Sequence, residues 1–215
     1  MATVLYLIRH SEACSKNQLN IIQNNDSFQI NNEKTFLSVL GEEKACQLSK
    51  LEELKNIDAV YSSNYVRCLS TAKYIANEND KIINVDERLG ERVIGDCDNL
   101  DWYDFHQQQL KDFDYKLPNG ESLNDTKKRM VDAVKNILMF ETDNRVAIVT
   151  HSTALTCLLS AWCDVGRNYQ NEVILSFKDD TVVDGHWTAP MVYKVEFDGM
   201  NVLSIELLDI GEKSE

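Results

Sequence analysis

Residues 4–10 read Val-Leu-Tyr-Leu-Ile-Arg-His, an unbroken apolar run that ends in two basic side chains. Continuous apolar runs of this length are typical of strands that are buried on both faces of a parallel sheet. The strand delivers Arg9 and His10 to its carboxyl end. An Arg-His pair after a strand is by itself more typical of an ordinary surface turn, so a functional interpretation needs a second segment of the same kind.

Residues 146–149, Val-Ala-Ile-Val, supply that second segment, because they form another buried apolar run that leads into His151. Ligands of open α/β sheets bind outside the carboxyl ends of the strands, so His10 and His151 can meet there. Arg67 begins the helix predicted after the strand at 57–61 and belongs to the same rim. Two imidazoles and two guanidiniums suit a phosphoryl group, since arginine binds phosphate oxygens in a bidentate manner and neutral imidazole can attack phosphorus.

Strands that alternate with helices predict an α/β fold, a three-layer sandwich with a mainly parallel central sheet and helices on both faces. The apolar periodicity predicts helices at 38–54, 65–76, 121–140 and 154–162. A short strand is predicted at 82–85, and two alternating segments at 192–197 and 202–207 predict a terminal hairpin. Residues 14–36 are interpreted as a long loop with at most one weak helical turn, and residues 96–118 as irregular or partly helical.

The 215 residues are 43% hydrophobic and include only 2 prolines, which indicates one domain without an obvious linker. We expect a single domain over 1–215, with a small cap formed by about 92–118. The net charge of −13 opposes polyanions, so nucleic acid and anionic membrane are poor candidate partners. The N-terminal residues contain neither a basic region nor an apolar run long enough to translocate, so we expect a cytoplasmic location.

Four segments carry a resemblance to a known family. They are Leu-Ile-Arg-His-Ser-Glu at 7–12, Tyr-Ser-Ser-Asn-Tyr-Val-Arg at 61–67, Leu-Gly-Glu at 89–91, and Val-Thr-His-Ser at 149–152. In this order they resemble the motifs of the histidine phosphatase superfamily, also called phosphoglycerate mutase-like. The resemblance extends from residue 4 to about residue 160. Each motif alone is weak, but four in the right order form a specific signal.

The resemblance implies a role for each matching residue. His10 would be the nucleophile that becomes phosphohistidine, and Glu91 would donate a proton to the leaving oxygen. Arg9, Arg67 and His151 would hold the phosphoryl oxygens. In-line attack needs one unprotonated nitrogen on His10, and a backbone carbonyl bound to the other nitrogen would fix that tautomer. This chemistry requires neither a metal nor an organic cofactor.

The chain departs from the family pattern at two positions where glycine is usual. Ser11 and Ser152 both carry a hydroxyl that we expect near the phosphate, and Ser152 is therefore a candidate phosphate contact. The family often has an asparagine after the first motif as a further phosphate contact. Asn17 lies close to that position, with a spacing that differs by about one residue.

Several other groups have two interpretations each. The acidic series Asp96, Asp98, Asp101 and Asp104 could bind a metal, but a solvated loop is the more common outcome. Cys68 could be a redox-active thiol or a buried inert one. His106 and His186 are interpreted as surface or structural residues. A group of aromatic side chains could line a substrate pocket or anchor the cap: Trp102, Tyr103, Phe105, Phe113 and Tyr115.

The leading functional hypothesis is hydrolysis of a small-molecule phosphomonoester. A phosphoglycerate mutase-type phosphoryl transfer and a non-catalytic regulatory role are the alternatives. Residues 96–117 contain only Lys111 and Lys116 as basic side chains against six aspartates, which disfavours a highly anionic substrate. The terminal hairpin could leave a sheet edge available, so a homodimer is possible.

Overall fold

The computed structural model describes residues 2–14, 27–98 and 100–211, and Asn17 lies outside them. Nine strands are present in these residues: β1 (Thr3–Arg9), β2 (Ala59–Ser62), β3 (Ile83–Val85), β4 (Arg145–Thr150), β5 (Asp164–Arg167), β6 (Val173–Phe177), β7 (Asp180–Val183), β8 (Met191–Asp198) and β9 (Asn201–Leu207). Six of them form the central sheet, in the order β3-β2-β4-β1-β8-β9. The strands β1 to β4 run parallel to one another, β8 lies antiparallel to β1, and β8 and β9 form the expected antiparallel hairpin.

The register of the two central strands places both histidines at one edge. In the parallel pair of β1 and β4, Arg9 lies opposite Thr150, and the backbone amide of His10 donates to the Thr150 carbonyl at 2.9 Å. His10 and His151 each follow the last residue of their strand. The prediction that the two buried runs end side by side is therefore confirmed.

Helices cover both faces of the sheet. Their bounds in the described residues are α1 (Phe28–Lys34), α2 (Val39–Leu48), α3 (Val66–Glu78), α4 (Trp102–Lys111), α5 (Leu123–Phe140) and α6 (Ser152–Leu159). Because successive strand side chains point to opposite faces, Leu5 and Leu7 pack with α5 and α6, whereas Tyr6 and Ile8 pack with α2 and α3. The three-layer α/β sandwich predicted from the sequence is thus confirmed.

Two helix boundaries differ from the prediction. The helix expected over 38–54 ends at Leu48 and is followed by a separate 3-10 turn, Glu52–Leu54, which buries Leu54 in the core. The helix expected over 154–162 begins at Ser152 and ends at Leu159. In both cases apolar residues beyond the helix continue the apolar pattern, so periodicity alone overestimates the helix length.

The region expected to be a loop at 14–36 contains the short helix α1. The Ser27 hydroxyl caps it by accepting from the Ile30 amide at 3.4 Å. No residue of α1 is fully buried, so the helix has no apolar stripe that a periodicity argument could detect.

A second, three-stranded sheet in the order β5-β6-β7 was not predicted. All four residues of β5 are exposed, so it lacks the alternation that identifies a half-buried strand. Leu175, Val182 and Val183 join the core on the face that carries α5 and α6. The small sheet therefore extends this face of the molecule.

Candidate active site

The carboxyl edge of the sheet brings His10, Arg67 and His151 together. The Arg67 Nε donates to His10 Nε2 at 3.0 Å, and the Arg67 Nη2 donates to His151 Nδ1 at 3.0 Å. The ring centroids of the two histidines are 5.2 Å apart. All three side chains are buried, with 8% of His10, 5% of Arg67 and none of His151 exposed. One guanidinium thus bridges two imidazoles in a site that largely excludes water.

The bonding of His10 defines its tautomer. Its Nδ1 lies 2.7 Å from the Ser11 carbonyl oxygen, which can only accept, so Nδ1 carries the hydrogen. Nε2 then presents its lone pair to Arg67. Burial, with additional contributions from Arg67 and Arg9, lowers the pKa of His10 to about 3. At neutral pH the imidazole is uncharged, with Nε2 available as a nucleophile.

His151 has the opposite tautomer. Because the Arg67 guanidinium can only donate to Nδ1, the hydrogen lies on Nε2 and is donated to the Ser63 hydroxyl at 3.0 Å. Burial, followed by the charge of Arg67 and the presence of His10, lowers the pKa of His151 below its ordinary value. The Tyr65 ring packs against the imidazole with centroids 4.6 Å apart, in an edge-on arrangement. The turn between β2 and α3 therefore orients His151.

Ser11 has a structural role that the sequence did not indicate. Its hydroxyl donates to the Gly41 carbonyl at 2.7 Å, and its amide donates to the Thr71 hydroxyl at 3.0 Å. The Ser11 side chain forms no hydrogen bond to His10, Arg67 or His151. Because its hydroxyl is bound to the Gly41 carbonyl, it is not directed at the phosphate as the sequence suggested. The Ser11 side chain instead anchors the peptide whose carbonyl sets the His10 tautomer.

Close packing around Gly41 strengthens this anchor. A Cβ added at Gly41 would lie 2.0 Å from the Glu12 carbonyl oxygen, which already accepts from the Ser38 amide at 3.0 Å. Only glycine lets α2 approach the chain after His10 this closely. The loop that carries the histidine is consequently fixed to the start of α2.

Arg9 reaches the same region from β1. Its Nη1 donates to the Thr188 carbonyl at 2.9 Å, whereas its Nε is buried and has no partner. Burial is the main cause that lowers the pKa of Arg9, and the nearby charge of Arg67 adds to it. The unpaired Nε is a hydrogen-bond donor that a ligand oxygen could satisfy.

Glu91 lies at the N-terminus of α6, the helix that begins directly after His151. Its carboxylate accepts from the amides of Arg92 at 2.9 Å, Ala154 at 3.0 Å and Thr153 at 3.3 Å. Arg129 holds the preceding turn by donating to the Gly90 carbonyl at 3.0 Å. The backbone therefore fixes the position of this carboxylate relative to the histidine pair.

Ser152 lines a cavity of about 540 Å³ that adjoins Glu91. The walls come from α4, the start of α5, α6 and residues 165–173, and they include Arg92, Thr153 and Trp187. Four of the five aromatic residues of 102–115 take one of the two expected roles, whereas Tyr103 is exposed. Phe113 lines the cavity, whereas the rings of Trp102 and Tyr115 pack on Phe105.

The remaining candidates have local roles in the described part of the chain. Burial raises the pKa of Cys68 to about 12, so this thiol is the inert type despite its position beside Arg67. Asp101 caps α4 by accepting from the Asp104 amide at 3.0 Å, and Asp96 accepts from Asn119. Among residues 2–14, 27–98 and 100–211, no group of three His, Cys, Asp or Glu side chains could hold a metal ion.

Three contacts of the site were missed by sequence reasoning. Ser63 is a partner of His151, and its only signal is its place in the second motif. The Asn32 carbonyl accepts from Arg67 Nη1 at 2.5 Å, and a backbone carbonyl leaves no sequence signal. Arg92 follows Glu91 directly, which could have marked it as a cation close to the site.

None of the helices in the described ranges combines the length and the apolar character needed to cross a bilayer.

Comparisons with known proteins identify relatives of this chain and solved structures that share its fold. A solved structure, Bacillus stearothermophilus YhfR, is 27% identical with a TM-score of 0.66, and the match covers 94% of each chain. The protein of Escherichia fergusonii named "Probable phosphoglycerate mutase GpmB" is 28% identical over 164 residues, 73% of each protein. The mycobacterial glucosyl-3-phosphoglycerate phosphatase shares the fold at 18% identity, with a TM-score of 0.68 and coverage of 96% of this chain and 97% of that one.

The family model of the histidine phosphatase superfamily (branch 1) matches residues 5–179, which include all four motifs with His10 and His151. Since this match spans most of the chain, the protein belongs to the histidine phosphatase superfamily, branch 1.

Proposed function

We propose that the protein is a phosphomonoester hydrolase that works through a phosphohistidine intermediate on His10. The observation that carries this proposal is the state of His10. Its Nδ1–H is bound by the Ser11 carbonyl at 2.7 Å, and its Nε2 lone pair is directed at the Arg67 guanidinium 3.0 Å away. A neutral, fixed imidazole beside a preorganised cation is what attack on a phosphoryl group requires.

In the first step, the Arg67 Nε–H exchanges its hydrogen bond with His10 Nε2 for one to a phosphoryl oxygen. The freed Nε2 lone pair attacks phosphorus in line, and the bond between phosphorus and the leaving oxygen breaks. Glu91 transfers a proton to the leaving oxygen, so the product departs as a neutral alcohol. The charge on the equatorial oxygens is balanced by Arg67 and by the free Nε of Arg9. His151 accepts a hydrogen bond from the same Arg67 guanidinium and is the third side chain that we place around the phosphoryl group.

In the second step, water attacks the phosphorus of phosphohistidine, and the bond between phosphorus and nitrogen breaks. The Glu91 carboxylate takes a proton from the attacking water. Inorganic phosphate leaves, and His10 returns to its neutral form. Glu91 thus serves as acid in the first step and as base in the second.

A mutase is the second candidate, and it is favoured by the relatives whose printed name is phosphoglycerate mutase. In a mutase, a second hydroxyl of the bound substrate replaces water. Two points favour hydrolysis. Lys116, one of two lysines in residues 96–117, is already paired with Asp125 at 2.7 Å, and fold neighbours include proteins named glucosyl-3-phosphoglycerate phosphatase and alpha-ribazole phosphatase.

The non-catalytic alternative is motivated by Ser11 and Ser152 in place of glycine. The Ser11 hydroxyl is bound to the Gly41 carbonyl and leaves the His10 lone pair accessible to Arg67, which removes the part of that motivation that concerns Ser11. We retain the proposals of a single domain with a cap at 92–118, a cytoplasmic location, a small-molecule substrate and a possible homodimer through the exposed edge of β9.

The test is release of inorganic phosphate from a panel of phosphomonoesters without added metal. The wild type, His10→Ala and the control His186→Ala, which removes an exposed histidine, are compared side by side. We expect release that is lost in His10→Ala and kept in the control. Conversion of one phosphoglycerate isomer to the other with a bisphosphate primer, without phosphate release, would establish the mutase instead. Release that persists in His10→Ala would exclude the histidine mechanism.

A further inference from the structure

The 540 Å³ cavity shares a wall with the proton donor of the proposed reaction. Ser152 and Thr153 line it, and the Thr153 amide also donates to the Glu91 carboxylate at 3.3 Å. Arg92, the residue after Glu91, lines it too. Glu91 itself is not a lining residue, but its chain neighbour Arg92 and its hydrogen-bond partner Thr153 are. Because a proton donor must stand at the leaving oxygen, a cavity lined by these two neighbours of Glu91 is placed to receive the leaving group.

Arg92 is a buried cation without a carboxylate partner. Only 5% of the residue is exposed, and its Nη1 donates to the neutral amide oxygen of Gln109. Its Nε is buried with no hydrogen-bond partner, and its guanidinium lies 5.1 Å from the centre of the Phe105 ring. Within the residues that the structure describes, no ion pair joins Arg92 to an acidic side chain. A buried, unpaired charge is costly, so a bound anion would be stabilised here.

The charged side chains that line the cavity sum to one positive charge; Glu91, which is not among them, is an acidic side chain whose charge acts on Arg92. Lys127 contributes a second cation, whose Nζ donates to the Ser160 carbonyl at 2.9 Å. Glu172 is the one acidic lining residue. Burial and the nearby Arg92 lower the pKa of His106, so it is uncharged at neutral pH. In a chain of net charge −13, this cavity is a local exception that suits a single negative charge.

The rest of the lining is apolar or neutral. The apolar members are Leu110, Phe113, Leu123, Val165, Val173 and Trp187. Cavities of roughly 300–1,000 Å³ usually enclose ligands of drug size. A three-carbon phosphoglycerate would therefore leave most of this cavity unfilled.

We propose that the cavity binds the leaving group of the substrate, and that this group is a bulky alcohol or phenol with an apolar body and one carboxylate that pairs with Arg92. The inference rests on the proposed function, because it places the leaving oxygen at Glu91. A carboxylate fits better than a second phosphate, which carries a charge of about −1.5 to −2 and would exceed the single excess charge of the cavity.

The test uses matched aryl phosphates. The pair consists of 4-methylumbelliferyl phosphate and the same ester with an acetic acid group on the ring, and p-nitrophenyl phosphate serves as the small reference. For the wild type we expect kcat/KM to favour the carboxylated ester by about 10-fold or more, as for a charge-assisted hydrogen bond. Arg92→Gln should reduce this preference to about 1, whereas Arg88→Gln, an arginine paired with Asp86 at the surface, should retain it.

A second variant tests the cavity without altering the buried Arg92. Val165 is 45% exposed and lines the cavity, so Val165→Trp should fill it without disturbing the core. We expect a loss of about 10-fold for the bulky esters relative to p-nitrophenyl phosphate. The control Val85→Trp, at the exposed end of the edge strand β3, should leave that ratio unchanged.

The outcomes separate the two proposals. Turnover that depends on His10 but is insensitive to both Arg92→Gln and Val165→Trp would overturn the cavity assignment and leave the hydrolase proposal intact. Turnover that persists in His10→Ala would overturn the proposed function. Binding of the carboxylated umbelliferone itself, followed by fluorescence, tests the cavity independently of catalysis. Equal affinity for the wild type and Arg92→Gln would contradict the inference.

Discussion

The phosphate end of the site is built from buried side chains that follow β1 and β4, whereas the cavity end combines the buried Arg92 with partly exposed side chains of α4 and residues 165–173. His10 and His151 follow strands in the middle of the sheet, and their bonds are to Arg67 and to fixed loops. Val165 and Phe113, at the cavity end, are 45% and 37% exposed. The comparison indicates that the chemistry lies on a rigid framework, while the part that selects the substrate can change at little cost to the core.

Glu91 lies between the phosphate end and the cavity end of the site. Its substitution should therefore cause the largest loss of turnover that depends on the leaving group. We expect Glu91→Gln to reduce turnover of alkyl phosphates by about 10²–10⁴-fold, because a poor leaving group needs the proton. The loss with p-nitrophenyl phosphate should be much smaller. Steady-state rates on both substrates measure the effect, and equal losses on both would remove Glu91 from the role of proton donor.

Arg67 belongs wholly to the phosphate end. Arg67→Lys should lower kcat by about 10²–10³-fold, because lysine cannot contact two imidazoles and phosphoryl oxygens in one plane. The loss should be similar for every ester, since this residue does not touch the cavity. If the loss varied strongly with the leaving group, the separation of the two ends would be wrong.

Ser11 tests whether the tautomer of His10 depends on its anchor. In Ser11→Gly the hydroxyl bond to the Gly41 carbonyl is lost, and we expect kcat to fall by about 10-fold, the equivalent of one hydrogen bond. The ¹⁵N chemical shifts of His10 should show a mixture of tautomers in the variant. Unchanged shifts combined with unchanged activity would mean that the backbone amide bond to Thr71 suffices.

Low pH should reduce the free energy of unfolding of the protein, because the phosphate end contains the buried, neutral His10. The pKa of His10 is about 3 in the folded state and about 6.5 when unfolded, so the unfolded chain binds more protons below pH 6.5. Stability is therefore lost as pH falls from 6.5 toward 3, by about 2 kcal/mol from His10 at pH 5. Urea unfolding of the wild type at pH 7.5 and pH 5 measures this loss. His10→Asn should lose less between these two pH values, and His186→Asn, an exposed control, should match the wild type.

The same contrast explains which features the sequence could predict. Buried runs such as Val146–Val149 and the motifs beside them carry strong local patterns, so the central sheet and the histidine pair were predictable. The strand β5 and the helix α1 are largely exposed and have no apolar periodicity. The Ser11 anchor and the burial of Arg92 depend on contacts with Gly41 and Gln109, which are distant in sequence, and such contacts leave no local signal.

The pairing of β1 has a consequence for biosynthesis. This strand is made before both of its neighbours, which are β4, at 145–150, and β8, at 191–198. Such long-range pairing is slow to form, and a ribosome adds only about 5–20 residues per second. The strand that delivers the nucleophile therefore has no partner until β4 has been made, and its second edge stays unpaired until β8 has left the ribosome. A nascent chain that stops before this strand would expose an apolar edge, and it would be a target for chaperones before it could become an enzyme.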